Sequence, residues 1–109
     1  MVDKNAGLVQ GTLDMLILKT LQVQPMHGYG IALRIEQMSR GVFKVNAGSL
    51  LPALVRLERQ GLLKTEWKSS ENNRRAKYYA LTRPGKAKLE AEAREWERQI
   101  AAIAHILEA

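Results

Sequence analysis

The stretch Asn46-Ala47-Gly48-Ser49-Leu50-Leu51-Pro52-Ala53-Leu54-Val55-Arg56-Leu57-Glu58-Arg59-Gln60-Gly61 decides the fold, because it reads as one helix with two faces of opposite chemistry. Leu50, Leu54, Leu57 and Gly61 recur at spacings of four, three and four. On a helix of about 3.6 residues per turn they form a single buried stripe. A rotation of about 100° per residue then turns Gly48, Pro52, Val55, Arg56 and Arg59 outward. An outward face of small residues, Pro, Val and Arg, with no acid on its midline, suits a DNA major groove. Asn46, Ser49 and Leu51 complete the contact set expected on this helix.

Beyond Gly61 the chain reads as a hairpin. Leu63, Thr65 and Trp67 alternate with Lys64, Glu66 and Lys68, and Arg75, Lys77, Tyr79 and Leu81 alternate with Ala76, Tyr78 and Ala80. That is the period-2 pattern of strands. Between them Asn72-Asn73 tolerates the left-handed backbone of a tight tip. Helix, strand, basic tip, strand is the winged helix-turn-helix order. Lys68, Arg74, Arg75 and Lys77 are expected on the phosphate backbone beside the groove-bound helix.

Several motifs, in order and at compatible spacing, resemble the PadR family of transcriptional regulators, especially its small members with one C-terminal helix. They are Met26-His27-Gly28-Tyr29-Gly30-Ile31, Gly48-Ser49-Leu50-Leu51-Pro52-Ala53-Leu54 with Arg56-Leu57-Glu58, Trp67, and Arg74-Arg75-Ala76-Lys77-Tyr78-Tyr79-Ala80-Leu81-Thr82. The resemblance runs from Gly11-Thr12-Leu13 to the last helix. The chain departs from the family pattern at Leu51, where a Tyr usually precedes the helix Pro, so a Tyr-mediated DNA contact does not carry over. It departs again at Asn72-Asn73, where many members have Gly, which implies a stiffer tip.

At 109 residues the chain makes a modest core, and association would help its stability. Cysteine is absent, which removes disulfides and thiolate metal sites and fits a reducing cytoplasm. The first apolar run, Leu13 to Leu21, contains Asp14 and Lys19 and is too short to cross a bilayer or serve as a signal sequence. The net charge of +6 is unevenly spread: +2 over residues 1–54, +7 over 55–88 and −3 over 89–109. A merely solvated surface would intersperse both signs, so the positive block points to a polyanion.

In chain order, residues 1–10 show no period and read as a loose arm. Thr12 is a fair N-cap with Asp14 in the first turn, and Leu13, Leu16, Ile17 and Leu21 mark a helix ending before Pro25. A second helix begins near His27 or Gly28 and carries Ile31, Leu33, Ile35 and Met38 until Gly41 stops it. Val42 to Val45 reads as a short strand. Thr82 caps a last helix with Pro84 in its first turn. On that helix Leu89, Ala93, Trp96, Ile100, Ile103 and Leu107 are spaced four, three, four, three and four. A seam with a period of about 3.5 residues fits packing along another helix. Three helices and a hairpin already compete for one small core, so the seam is expected to join two chains in a homodimer.

The expected architecture is mainly α with a small β-hairpin. Residues 1–82 would form a winged helix-turn-helix DNA-binding domain and 83–109 a C-terminal dimerisation helix. Catalysis is not expected. His27-Gly28-Tyr29-Gly30 lacks a Gly-x-Ser-x-Gly elbow or the third Gly of a nucleotide loop, and Ser49 has no activating His and Asp pattern. His27 and His105 are distant and without carboxylates at ligand spacing, so no metal or other cofactor is expected. Two functions compete: a dimeric, cytoplasmic regulator reading a palindromic operator in double-stranded DNA, or a winged-helix module for protein contacts without DNA specificity. A protein-binding face would want a large aromatic or apolar anchor. This helix offers Val55 and Pro52, able to touch thymine methyls, beside Arg56 and Arg59, which favours the regulator. With no segment left over to recruit polymerase, repression is the expected mode, and the resemblance implies the same. It also implies that a flat hydrophobic or aromatic effector can lodge between the chains, which makes Trp96 a stacking surface with the small Ala93 leaving room.

Overall fold

Asn46 starts the central helix: its backbone is extended and its carboxamide Oδ1 accepts from the Ser49 N–H at 2.9 Å. The computed structural model describes residues 10–109. In it the elements run α1 (Gln10–Val23), β1 (Met26–His27), α2 (Gly28–Met38), α3 (Ala47–Arg59), β2 (Leu63–Ser69), β3 (Arg75–Leu81) and α4 (Arg83–Glu108). Leu50, Leu54 and Leu57 of α3 are buried as their spacing predicts, and Ala53 joins them. Gly61 does not belong to that stripe. It is exposed at φ +77° just past the helix end, where the Gly61 N–H reaches the Glu58 carbonyl and the Leu62 N–H the Leu57 carbonyl, each at 3.0 Å. This is a Schellman ending, and it needs a residue at ease in the left-handed region.

The expected hairpin forms, with Leu63 opposite Leu81, Thr65 opposite Tyr79 and Trp67 opposite Lys77. At the tip Asn73 takes φ +59°, the left-handed conformation for which Asn is suited. The third strand lies elsewhere than the sequence suggests. Val42 to Val45 forms no strand, and the hairpin is instead extended by Met26 and His27, which pair with Tyr79 and Tyr78. A two-residue strand is too short to show any periodicity, and it exists only because β3 presents an open edge to it.

α1 runs through the middle and buries Leu13, Met15, Ile17, Leu18 and Leu21 against Ile31 and Ile35 of α2, the α3 stripe, Leu63, Tyr79 and Leu89. Thr20, the one polar side chain of this helix that is buried among the described residues, is satisfied by donating to the Leu16 carbonyl at 2.8 Å. The helix includes Gln10, so Thr12 lies inside it rather than capping it; the rest of the arm expected over residues 1–10 falls outside the described residues. α2 stops at Met38, and Arg40 already takes φ +54° before Gly41. Leu33 and Met38, expected in the core, are 42% and 46% exposed.

α4 is capped by Thr82, whose Oγ1 accepts from the Gly85 N–H and donates to the Gly61 carbonyl. Its seam divides in two. Leu89 is buried in the core and Trp96 packs against it, whereas Ile100 and Ile103 are each 51% exposed and Leu107 79%. A helix of 26 residues is about 39 Å long. Only its first half finds a partner within its own chain.

Candidate nucleic-acid interface

Helix α3 and the hairpin lie side by side because Glu58 ties them together. Its carboxylate accepts from the Thr65 hydroxyl at 3.1 Å on β2 and from the Lys77 ammonium at 3.3 Å on β3. The acid nearest the outward face is therefore neutralised. Lys77, expected to reach for phosphate, instead braces the hairpin against α3. Lys68 sits over the Tyr78 ring and Arg75 over the Trp67 ring, at 4.5 and 5.6 Å. Both cations are thereby held in defined positions along the wing. Arg74 is exposed at the tip, where the Ser70 N–H closes the turn on its carbonyl at 2.7 Å.

Gly48, Leu51, Pro52, Val55 and Arg59 are exposed on α3, as the rotation along the helix requires. Arg56 is not. It is half-buried at the edge of that face, and its guanidinium donates to the Asp14 carboxylate of α1. The partner lies 42 residues away in the chain, so nothing in the local spacing could reveal it. Arg56 therefore fastens α3 to α1.

Burial pushes the Asp14 carboxyl above its ordinary value, against the pull of the Arg56 hydrogen bond and charge; Glu92 adds to the rise and Lys88 opposes it. The sign of the consequence is fixed. An acid raised in the folded state binds its proton more tightly there, so its contribution to stability declines as pH rises above about 4, where the unfolded chain ionises first. In urea unfolding, the stability of the native chain minus that of Asp14→Asn should fall as pH rises from about 4 toward neutral. A difference that rises over the same interval would mean that the ion pair outweighs desolvation.

A second strap joins the wing tip to α2. His27 caps that helix through Nδ1, which accepts from the Gly30 N–H at 3.0 Å, while Nε2 faces Glu71 Oε1 at 3.4 Å. The Glu71 carboxyl is held below its ordinary value by the backbone hydrogen bond of its own turn and by His27. Neither the strap nor Asp14 is legible in local sequence. Between the wing and the start of α2, with Leu51 of α3 at its edge, lies a concave surface of about 440 Å³, lined by Tyr29, Leu51, Asn72, Arg74 and Arg75 among others. A sugar–phosphate strand could follow such a trough while α3 enters the groove beside it.

Trp96 borders a smaller groove of about 220 Å³ between α1 and α4, with Thr12, Met15, Glu92, Glu95 and Gln99. Ala93, expected to make room beside Trp96, is half-buried and outside that lining. Among the described residues no group of three or more His, Cys, Asp or Glu could hold a metal ion, and no helix is long and apolar enough to cross a membrane.

The sequence profile of the transcriptional regulator PadR-like family matches residues 17–91, which takes in α2, α3, the hairpin and the start of α4. Solved structures agree over nearly the whole chain. A transcriptional regulator from Clostridium thermocellum is similar with a TM-score of 0.81 at 26% identity, over 91% of this chain and 96% of its own. A PadR family transcription regulator from Clostridium difficile R20291 gives 0.75 at 32% identity, over 87% and 97%. One from Eggerthella lenta DSM 2243 gives 0.75 at 31% identity, over 92% and 85%.

Proposed function

The chain belongs to the PadR-like family of transcriptional regulators, and from that premise we propose that it binds a palindromic operator in double-stranded DNA as a cytoplasmic homodimer and represses transcription there. Members of this family regulate transcription and are not enzymes. The observation that carries the reading is the exposed face of α3 standing beside a wing that presents Arg74, Arg75 and Lys68. Residues 55–88, which hold most of α3's second half and the wing, carry the +7 charge. Residues 1–82 serve as the DNA-binding unit in this reading, and the outer half of α4 joins two such units through Ile100, Ile103 and Leu107. Two-fold symmetry then sets the two reading helices about 34–36 Å apart, one turn of DNA, or a multiple of that. A small hydrophobic effector entering beside Trp96 would act where α1 and α4 meet.

Selecting bound duplexes from a random library tests the function. Enrichment of an inverted repeat supports it, and recovery of no preferred sequence overturns it. The wing has its own signature. In this reading Arg74 at the exposed tip meets a phosphate oxygen, so Arg74→Ala removes two contacts per dimer. The slope of log affinity against log salt should flatten by about 1.8, with weaker binding to operator and scrambled duplex alike. Titration by fluorescence anisotropy at several salt concentrations measures this. An unchanged slope would take the tip off the DNA.

A further inference from the structure

Sequence readout through hydrogen bonds needs donors or acceptors on the part of the helix that enters the groove, usually its N-terminal half. On α3 most of those groups are engaged elsewhere, the half-buried Ser49 hydroxyl and the amide NH2 of the exposed Asn46 being left over. The Asn46 carboxamide oxygen is taken by the Ser49 N–H, the Arg56 guanidinium reaches the Asp14 carboxylate, and Glu58 is held by Thr65 and Lys77. Between the Asn46 cap and the last residue of the helix the exposed positions present carbon: Ala47, Gly48, Leu51, Pro52 and Val55, with Leu51 52% and Val55 42% exposed. Arg59 comes only at the C-terminal end.

Of the groups that base edges present in the major groove, one is apolar, the 5-methyl of thymine. The geometry points to thymine methyls as a base feature that the exposed stripe of α3 reads, with Leu51 and Val55 as the side chains that contact them. The inference rests on the DNA-binding reading above and adds the chemical class of the recognised base. Leu51 and Val55 are four residues apart and so stand about 6 Å apart on one stripe, which spans one to two base-pair steps of about 3.4 Å. Their exposed carbon is a cost in the free protein that contact with methyl groups removes. Burial of one methyl is worth about a fourfold gain in affinity, and one in each half-site of a dimer about fifteenfold. Pro52 and Gly48 keep the neighbouring helix surface low, so that the bases can approach the two longer side chains.

The test uses the full chain and the duplexes recovered from a random library. Deoxyuridine replaces thymidine, one position at a time, in the half-sites and then in the flanking sequence; uracil lacks only the methyl. Half-site replacements should weaken binding about fourfold for each contacted methyl, while flanking replacements change nothing. Leu51→Ala, on an exposed position that leaves the core intact, should weaken binding to the thymine operator and be indifferent to uracil at its own site. Val55→Ala should behave in the same way at a neighbouring position. Tight, sequence-selective binding with thymine and uracil half-sites equal would overturn the inference and leave the DNA-binding function standing. If no preferred sequence is recovered, that function fails and the inference with it.

Discussion

Ile100→Glu is expected to leave the protein monomeric at micromolar concentration, with its fold intact and its grip on a two-site operator lost. In a single chain Ile100 and Ile103 are each 51% exposed, so a glutamate there meets water and disturbs nothing. In the proposed dimer the same carboxylate would be enclosed between two apolar helices without a cation. Such an unpaired buried charge costs on the order of 3–5 kcal/mol in each chain, enough to raise the dissociation constant at least a thousandfold. Leu89 and Trp96 still anchor the first half of α4 to the core, so circular dichroism should change little. Sedimentation of the native chain and the variant at equal concentration decides the matter. A native chain that already sediments as a monomer, or a variant that remains dimeric, would mean that the outer half of α4 is not the interface.

The largest loss of stability should come from a single methyl at Gly85. A Cβ there would lie 2.1 Å from the Leu62 carbonyl oxygen and 3.3 Å from Leu81 Cδ2. The first obstacle is backbone and cannot rotate away. It is also pinned, since the same carbonyl accepts the Thr82 N–H at 3.2 Å while the Thr82 hydroxyl donates to the Gly61 carbonyl at 2.6 Å. Relief requires the start of α4 to move off the α3–β2 turn, which would strain the Thr82 cap and loosen Leu89. We expect Gly85→Ala to cost about 3 kcal/mol or more and to lower the melting temperature by about 10–20 °C. Gly11→Ala is the matching control, because a Cβ there meets nothing within 4 Å and Gly11 lies inside a helix. That change should be neutral or add up to about 1 kcal/mol. Thermal unfolding followed by circular dichroism measures both, and a loss of only a degree or two for Gly85→Ala would show that the junction is loose.

Most of the local structure was readable because its causes are local. Apolar residues four and three apart buried one side of α3, the alternation from Leu63 to Leu81 made two strands, and Asn73 took the left-handed turn conformation. The cap at Thr82 acts over three residues and is equally plain, whereas Asn46, expected only among the DNA contacts, also caps α3. Errors arose where a residue's fate depends on something remote. Thr12 has the chemistry of a cap but lies within a helix that starts earlier, and Gly61 fitted the apolar spacing but serves the turn. Met26 and His27 became a strand only because β3 offered its edge.

Composition and periodicity alone thus determined the kind of molecule: a winged helix-turn-helix with its positive charge concentrated on the reading half and a long terminal helix. The spacing of side chains along one element dictates which face is apolar, and this needs no knowledge of the neighbours. The tertiary structure decided which outward-leaning side chains are available to a partner. Arg56 and Lys77 are cations in a basic stretch, but folding brings Asp14 and Glu58 to them, across 42 and 19 residues of chain. Likewise it divided one continuous seam on α4 into an inner half that packs on the core and an outer half left open. Long polar side chains go to whichever opposite charge the fold carries within reach, and an apolar stripe is covered only as far as its own domain extends. Both are properties of distance in space, which a pattern along the chain does not record.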